Sequence, residues 1–284
     1  MLKILVTGGK GQLAQCIKKL SSSYQFEFIF KSSSELDITN AKNIEQELSN
    51  YSYDYCINCA AYTQVDKAES DVTKADLINH IAVEKLAKAC SKNQVKLIHI
   101  STDFVFSGDN SLPYLEDDKT NPLGVYGKTK LDGESKILQN LDQFFIIRTS
   151  WLYSEFGHNF LKSMLKYGKE REELSVVFDQ VGTPTYAMDL AEMILKIIQS
   201  QSKKYGIYHY SNEGVASWYD FAFNIFKLAE INCNLKPIRS QDYPTPAKRP
   251  AFSVLDKSKI KNTFQVEIPH WQDSLSKAIQ NIIN

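Results

Sequence analysis

The sequence predicts an α/β protein, a doubly wound parallel sheet with a smaller C-terminal lobe. Three observations carry this expectation. Short, almost wholly apolar runs alternate with helical patterns through the first half of the chain, and a glycine-rich turn follows the first of those runs. After about Arg148 the alternation loosens, and Gly and Pro become frequent, as in Gly182-Thr183-Pro184 and Tyr243-Pro244-Thr245-Pro246. The expected division is 1–150 for a dinucleotide-binding domain and 151–284 for a substrate-binding lobe, with some segments of the latter returning to the first domain.

The apolar runs are Lys3 to Val6, Phe26 to Phe30, Tyr55 to Cys59, Lys96 to Ile100 and Phe144 to Ile147. They lack the polar alternation of a sheet with one wet face, so they read as strands covered on both sides. From Ile78 to Cys90, the residues Ile78, Ile81, Ala82, Leu86 and Ala89 recur at helical spacing. In the second lobe, helices are expected over Met188 to Gln199, Trp218 to Ala229 and Trp271 to Ile282.

Of the 284 residues, 43% are hydrophobic, enough for a core without disulfides or metals. Lys plus Arg and Asp plus Glu both number 33, which gives no charge excess to attract nucleic acid or an anionic membrane. No leader-like segment or membrane-spanning run is evident, so a cytoplasmic protein is expected. The five cysteines, Cys16, Cys56, Cys59, Cys90 and Cys233, read as reduced thiols. Cys56 and Cys59 form a C-x-x-C, but three apart on a strand they face opposite ways and cannot chelate one ion.

Thr7-Gly8-Gly9-Lys10-Gly11-Gln12-Leu13-Ala14 leads from the first strand into a helix with Leu13, Ile17 and Leu20 on one side. Such a turn sets free backbone N–H groups and the positive end of the helix dipole against a pyrophosphate. Gly8 suits the tight turn, Gly11 lets the backbone approach phosphate, and Ala14 is small enough for the helix to pack on the strand. Dinucleotide binding follows, through Gly8, Gly11, Gln12 and Leu13. An acidic residue at the end of the second strand would bind a ribose 2′-hydroxyl; here Lys31 and serines stand instead. They suit the 2′-phosphate of NADPH, although Lys31 also reads as a solvated loop lysine, and NADH stays possible. Asp37 and Ile38 are placed to border the adenine. Ala60, Ala61 and Thr63, after the third strand, leave room for ribose and phosphates.

Tyr126 and Lys130 stand four apart at the start of a helix, hence on one face. A phenol is a poor acid or base at neutral pH unless a cation such as Lys130 favours its ionised form. Ser101-Thr102-Asp103 follows directly on a strand whose carboxyl end faces the ligand crevice. Hydroxyl, phenol and ammonium together make a proton donor for a carbonyl oxygen.

Taken in order, T-G-x-x-G-Q-L, N-x-A-A-Y-T-x-V-D-x-A-E (Asn58 to Glu69), S-T-D-F-V-F, Y-G-K-x-K and R-T-S-W-L-Y (Arg148 to Tyr153) resemble the dTDP-4-dehydrorhamnose reductase family. Asp179 to Thr185 and Lys248-Arg249-Pro250 extend the likeness into the second lobe. The resemblance implies a Rossmann-like extended short-chain dehydrogenase that reduces the C4 ketone of dTDP-4-dehydro-L-rhamnose with NAD(P)H. It implies Tyr126 as proton donor, Lys130 as its partner and ribose anchor, and Thr102 as hydrogen-bond donor to the substrate. Thr102, Asp103 and Trp151 would touch the sugar. Ala14 and Lys31 depart from the family pattern. No acidic cluster suggests a metal, and a monomer or homodimer is expected. The alternatives are an epimerase or dehydratase of the same fold, which the same Tyr and Lys would serve, or a regulatory binding protein that has lost turnover. Trp218 reads as core or surface packing, and His99 as a satisfied core histidine.

Overall fold

The computed structural model describes residues 1–283. Its centre is a six-stranded sheet, and each strand predicted from the sequence is present. In chain order the elements are β1 (Leu2–Thr7), α1 (Gln12–Leu20), β2 (Phe26–Lys31), α2 (Ala41–Asn50), β3 (Tyr55–Asn58), α3 (Ala82–Lys92), β4 (Lys96–Thr102), α4 (Val125–Asn140) and β5 (Phe144–Thr149). There follow α5 (Phe160–Glu170), β6 (Glu173–Val177), α6 (Ala187–Ser200), β7 (Gly206–His209), α7 (Trp218–Leu228), β8 (Asn234–Ile238) and α8 (Trp271–Ile283). The order across the sheet is β7-β5-β4-β3-β1-β2, with every pairing parallel. The order reverses beside β1, and there the carboxyl ends of the strands open a crevice.

Alternate residues of each strand enter different cores. Ile4, Val6, Tyr55, Ile57, Ile98 and Phe145 pack with Leu13 and Ile17 of α1 and with the apolar face of α6. Leu5, Cys56, Leu97 and Ile146 pack on the other side with Ile44 of α2, Leu86 of α3 and Ile137 of α4. Cys56 and Cys59 accordingly face different cores, as the strand period requires.

Two features differ from the sequence expectation. The helix expected over Met188 to Gln199 forms as α6, but it packs against α1 on the central sheet instead of in the second lobe. Its Leu190, Ile194, Ile197 and Ile198 are fully buried there. The sheet also gains β7, whose four residues Gly-Ile-Tyr-His are too short and too polar to read as a covered strand. Much of the remaining later chain makes a separate core from α5, α7 and α8 around Tyr153, Phe221, Trp271 and Leu275, flanked by the parallel pair β6 and β8, while Ile260 and Ile268 also return to the central-sheet core.

Candidate active site

The glycine turn meets the geometry a dinucleotide needs. Gly8 has φ +63°, and a Cβ there would lie 2.8 Å from the Ala60 amide nitrogen, so only glycine lets the turn sit against the end of β3. Gly11 is the N-cap of α1 and carries no side-chain cap, leaving the first amides of a nine-residue helix open toward the cleft. Ala14 is fully buried against the sheet. The Leu13 side chain also lies in the core, so only its backbone can reach a phosphate. Gln12 turns the other way: its amide donates to the Leu152 carbonyl at 3.2 Å and accepts from Ser154 at 3.1 Å and Asn159 at 3.3 Å. The phosphate turn is thereby tied to the second lobe.

Lys31 ends β2 as expected, but its Nζ lies 3.4 Å from the Glu47 carboxylate of α2. Asp37 is exposed and accepts from the backbone and hydroxyl of Thr39 at 2.9 and 2.8 Å, which shapes the loop. Ile38 is buried with Leu36 beneath it. Ala60 and Ala61 are half-buried beside Gly8, and Thr63 is exposed.

Tyr126 and Lys130 both lie on α4, and Thr102 closes β4. Gly127 lets α4 lie against the segment that follows β4, because a Cβ there would run into the Phe104 carbonyl oxygen. The Phe104 ring stands edge-on to Tyr126, centroids 5.6 Å apart. The first turn of α4 is held by Glu69, which accepts from the Val125 amide at 2.8 Å. Burial pushes the Tyr126 phenol up to about 12; the Thr102 hydroxyl beside it works downward and the Asp103 carboxylate upward. The lysine does not stand as the phenol's hydrogen-bond partner. Among the described residues, Lys130 Nζ donates to the Ile100 carbonyl at 2.6 Å and meets His99 Nε2 at 3.2 Å. Burial pushes Lys130 down to about 8, with Glu134 opposing.

Thr102 is buried and donates to Asp103 Oδ1 at 3.0 Å. Burial raises the Asp103 carboxyl to about 6, against hydrogen bonds from Ser253 and Thr102. Its Oδ2 is buried and has no partner among the described residues, so one acceptor site is left over beside the phenol.

Trp151 follows β5 with φ +46°, in the left-handed region that an indole rarely adopts. Its ring lies flat on Trp218, centroids 3.6 Å apart and planes 7° from parallel. Trp218 packs at the start of α7 as expected, against Trp151 and the Phe160 ring. With Phe160, Gln180, Tyr243, Thr245 and Arg249 it lines a cavity of about 320 Å³ in the second lobe. Arg249 is held across the cleft by Asp66, at 2.7 Å, so the D of V-D-x-A-E clamps the lobes. Tyr243 is exposed at the cavity mouth. Sequence reasoning passed over these lining residues because no short spacing joins them; Arg249 alone had a signal, inside Lys248-Arg249-Pro250.

Asp76, His80 and Asp132 bring ligand-type atoms within 4.8 Å of one another. His80 Nδ1 lies 2.9 Å from Asp76, one helical turn away, and Asp132 joins the pair from α4.

The family model described as the RmlD substrate binding domain matches residues 2–284. The chain belongs to this family. It is 41% identical over 293 residues to a dTDP-4-dehydrorhamnose reductase of Aggregatibacter actinomycetemcomitans, covering 99% of this chain and 98% of that one. Among solved structures, a dTDP-4-dehydrorhamnose reductase of Clostridium acetobutylicum superposes with TM-score 0.96 at 40% identity, covering all of both chains. Another, from Bacillus anthracis in complex with NADP, gives TM-score 0.96 at 36% identity, covering 99% of this chain and 100% of that one. The RmlD family thus spans both lobes, and the glycine turn, the Thr-Tyr-Lys set and the cavity all lie within the matched length. No helix is long and apolar enough to cross a membrane, among the described residues.

Proposed function

We propose that this member of the RmlD family reduces the C4 ketone of dTDP-4-dehydro-L-rhamnose to the alcohol of dTDP-L-rhamnose, using NADPH in preference to NADH. The observation that carries the reading is the Thr102 hydroxyl beside the Tyr126 phenol at the carboxyl end of β4, with Lys130 one turn further along α4 and a glycine turn at the carboxyl end of β1. Reductases of that name match this chain over nearly its whole length, and the Bacillus anthracis relative is in complex with NADP.

The residues present fit a dinucleotide: a Cβ at Gly8 would fill the cradle, and the start of α1 keeps its amides free. Gly8, Gly11, Gln12 and Leu13 would hold the pyrophosphate through backbone N–H groups, with Ala60, Ala61, Thr63, Asp37 and Ile38 along the ribose and adenine and Lys31 toward the 2′-phosphate. Lys130 would anchor the nicotinamide ribose. When bound, the cofactor supplies hydride to the ketone carbon. Tyr126 keeps its proton through neutral pH and delivers it to the oxygen on which negative charge grows, while Thr102 hydrogen-bonds that oxygen. Asp103 offers its unpartnered Oδ2 to a sugar hydroxyl. Trp151 meets the apolar face of the hexose, and the cavity beyond Trp218 takes the nucleotide.

Incubation of the purified protein with dTDP-4-dehydro-L-rhamnose and NADPH or NADH, with the product assigned by NMR, tests the reading. The expected result is stoichiometric oxidation of added NADPH and appearance of the rhamnose configuration. A different C4 configuration, or turnover without consumption of added cofactor as an epimerase would show, overturns it.

A further inference from the structure

Behind the lysine lies a row of polar side chains with no exit to water. Thr7, Asn58 and His99 stand abreast at paired positions of β1, β3 and β4, and none of the three is more than 1% exposed. Asn58 Oδ1 accepts from the Thr7 hydroxyl at 2.7 Å and from the Ala60 amide at 3.3 Å. An amide N–H can only donate, which fixes the carboxamide: its Nδ2 faces His99 Nδ1 at 3.0 Å and donates to it. His99 Nδ1 must then accept. In a neutral imidazole the single ring proton therefore sits on Nε2, which points at Lys130 Nζ 3.2 Å away.

An ammonium has three donors and no lone pair, so Nε2–H against a protonated lysine sets two donors head to head. A neutral amine resolves the contact. Its lone pair accepts from Nε2, one N–H goes to the Ile100 carbonyl, and one N–H is left for the cleft. We propose that His99, fixed as the Nε2–H tautomer by Asn58, is a positioning residue that stabilises the amine form of Lys130. This makes the protonated lysine a ready proton donor to Tyr126. The proposal rests on the reductase reading above.

In each turnover the Tyr126 O–H bond breaks as the sugar oxygen takes its proton, leaving a phenolate. The N–H of the Lys130 ammonium that points into the cleft then breaks, its proton passing to a cleft water that gives one of its own to reform the phenol O–H; the lysine is left as the amine, its lone pair on His99, and recovers a proton from solvent. The groups facing Lys130 are Glu134 on its own helix and His99 on β4, while Tyr126 stands one turn earlier on α4 with no hydrogen bond to it among the described residues. Glu134 favours the ammonium, but its carboxylate is already shared between Ser101 of β4 and Arg148 of β5, with Arg148 at 2.7 Å. Asp103 lies beyond, beside Tyr126. Burial holds His99 well below the usual histidine range and so keeps it neutral.

The test begins with the unmodified protein labelled with ¹⁵N-histidine, in which ring nitrogen shifts report tautomer and charge without reference to activity. His99 is assigned by loss of its signals in His99→Gln or, if that variant does not fold, by elimination through His80, His158, His209 and His270 variants. A neutral Nε2–H ring from pH 6 to 9 is expected; an Nδ1–H ring or an imidazolium overturns the proposal. Asn58→Asp then supplies a carboxylate that accepts from Nδ1, flips the tautomer, and turns Nε2 into an acceptor for the ammonium. The alkaline limb of kcat should move up by one pH unit or more, and a limb that stays within 0.3 unit after the ring has flipped also overturns it. If the protein reduces no nucleotide sugar, the Proposed function fails while the tautomer result stands separately.

Discussion

The indoles of Trp151 and Trp218 are stacked, 3.6 Å between centroids, joining the second residue after β5 to the first residue of α7. One face of Trp151 is therefore occupied, and its contact with a hexose falls to the other face and the indole edge. Truncating Trp151 removes that contact and also frees Trp218 to shift. Trp151→Ala is expected to lower kcat/KM for the sugar at least about ten-fold, from ~1.5–3 kcal/mol of lost aromatic contact, while NADPH affinity stays within about two-fold. Steady-state kinetics, fluorescence titration and melting temperature on one preparation check this; both ligands weakening together with the melting temperature would mean that the pair only joins the lobes.

Tyr126→Phe is expected to lower kcat by roughly 10²- to 10⁴-fold, the usual worth of a positioned general acid, with cofactor affinity nearly unchanged. A variant retaining more than about a third of wild-type turnover removes the phenol from the chemistry.

Lys31 and Glu47 form a pair whose side chains are 24% and 12% exposed. On the proposed reading a 2′-phosphate at Lys31 would have to compete with that carboxylate, which would mask part of a preference for NADPH. Lys31→Ala should narrow the gap between NADPH and NADH affinity by a few-fold, and Glu47→Gln should widen it toward ten-fold, the ~1.4 kcal/mol of a freed charge-assisted contact. Titration of both cofactors into each variant decides; an unchanged ratio in both assigns Lys31 to the surface.

Asp103 supplies a stability test. Its folded carboxyl titrates at about 6, against 3.8 ordinarily, so the folded state holds this proton more tightly than the unfolded chain does. The stabilisation is fully present below pH 3.8 and is lost as pH rises through about 6. Asp103→Asn should therefore melt higher than the wild type at pH 7, while the advantage shrinks as pH falls toward 4. Equal melting-temperature profiles over pH 4 to 8 would show that Asp103 is not strained by burial.

Glu69 accepts the Val125 amide ahead of Tyr126. Glu69→Ala is expected to cost ~0.5–2 kcal/mol in urea unfolding, as for loss of a helix cap, and Glu69→Gln less, since it keeps an acceptor.

Five of the six strands of the central sheet were legible because covered parallel strands are apolar throughout, so composition alone marks them, and the glycine turn follows from backbone needs that only small residues meet. The Tyr126 and Lys130 pair was legible from helical spacing. What the lysine touches was not: His99 looks like any histidine in an apolar strand, and only the sheet register sets it between Asn58 and Lys130. Glu47 beside Lys31 and Arg249 beside Asp66 are likewise products of tertiary packing between segments far apart in sequence. Helix α6 was found in the right place along the chain yet given to the wrong lobe, because an apolar face declares that it is buried but not against what.

The return of α6 and β7 to the central sheet governs how the protein is made. During synthesis β5 emerges long before its outer neighbour: the stretch from Thr149 to Gly206 must be translated first, several seconds at ~5–20 residues per second. Throughout that interval the nascent chain displays an unpaired strand edge and the uncovered face that α1 offers to α6. A ribosome-bound chain halted before residue 187 should therefore engage holdase chaperones and remain open to protease, and protection should arrive only once β7 has left the exit tunnel.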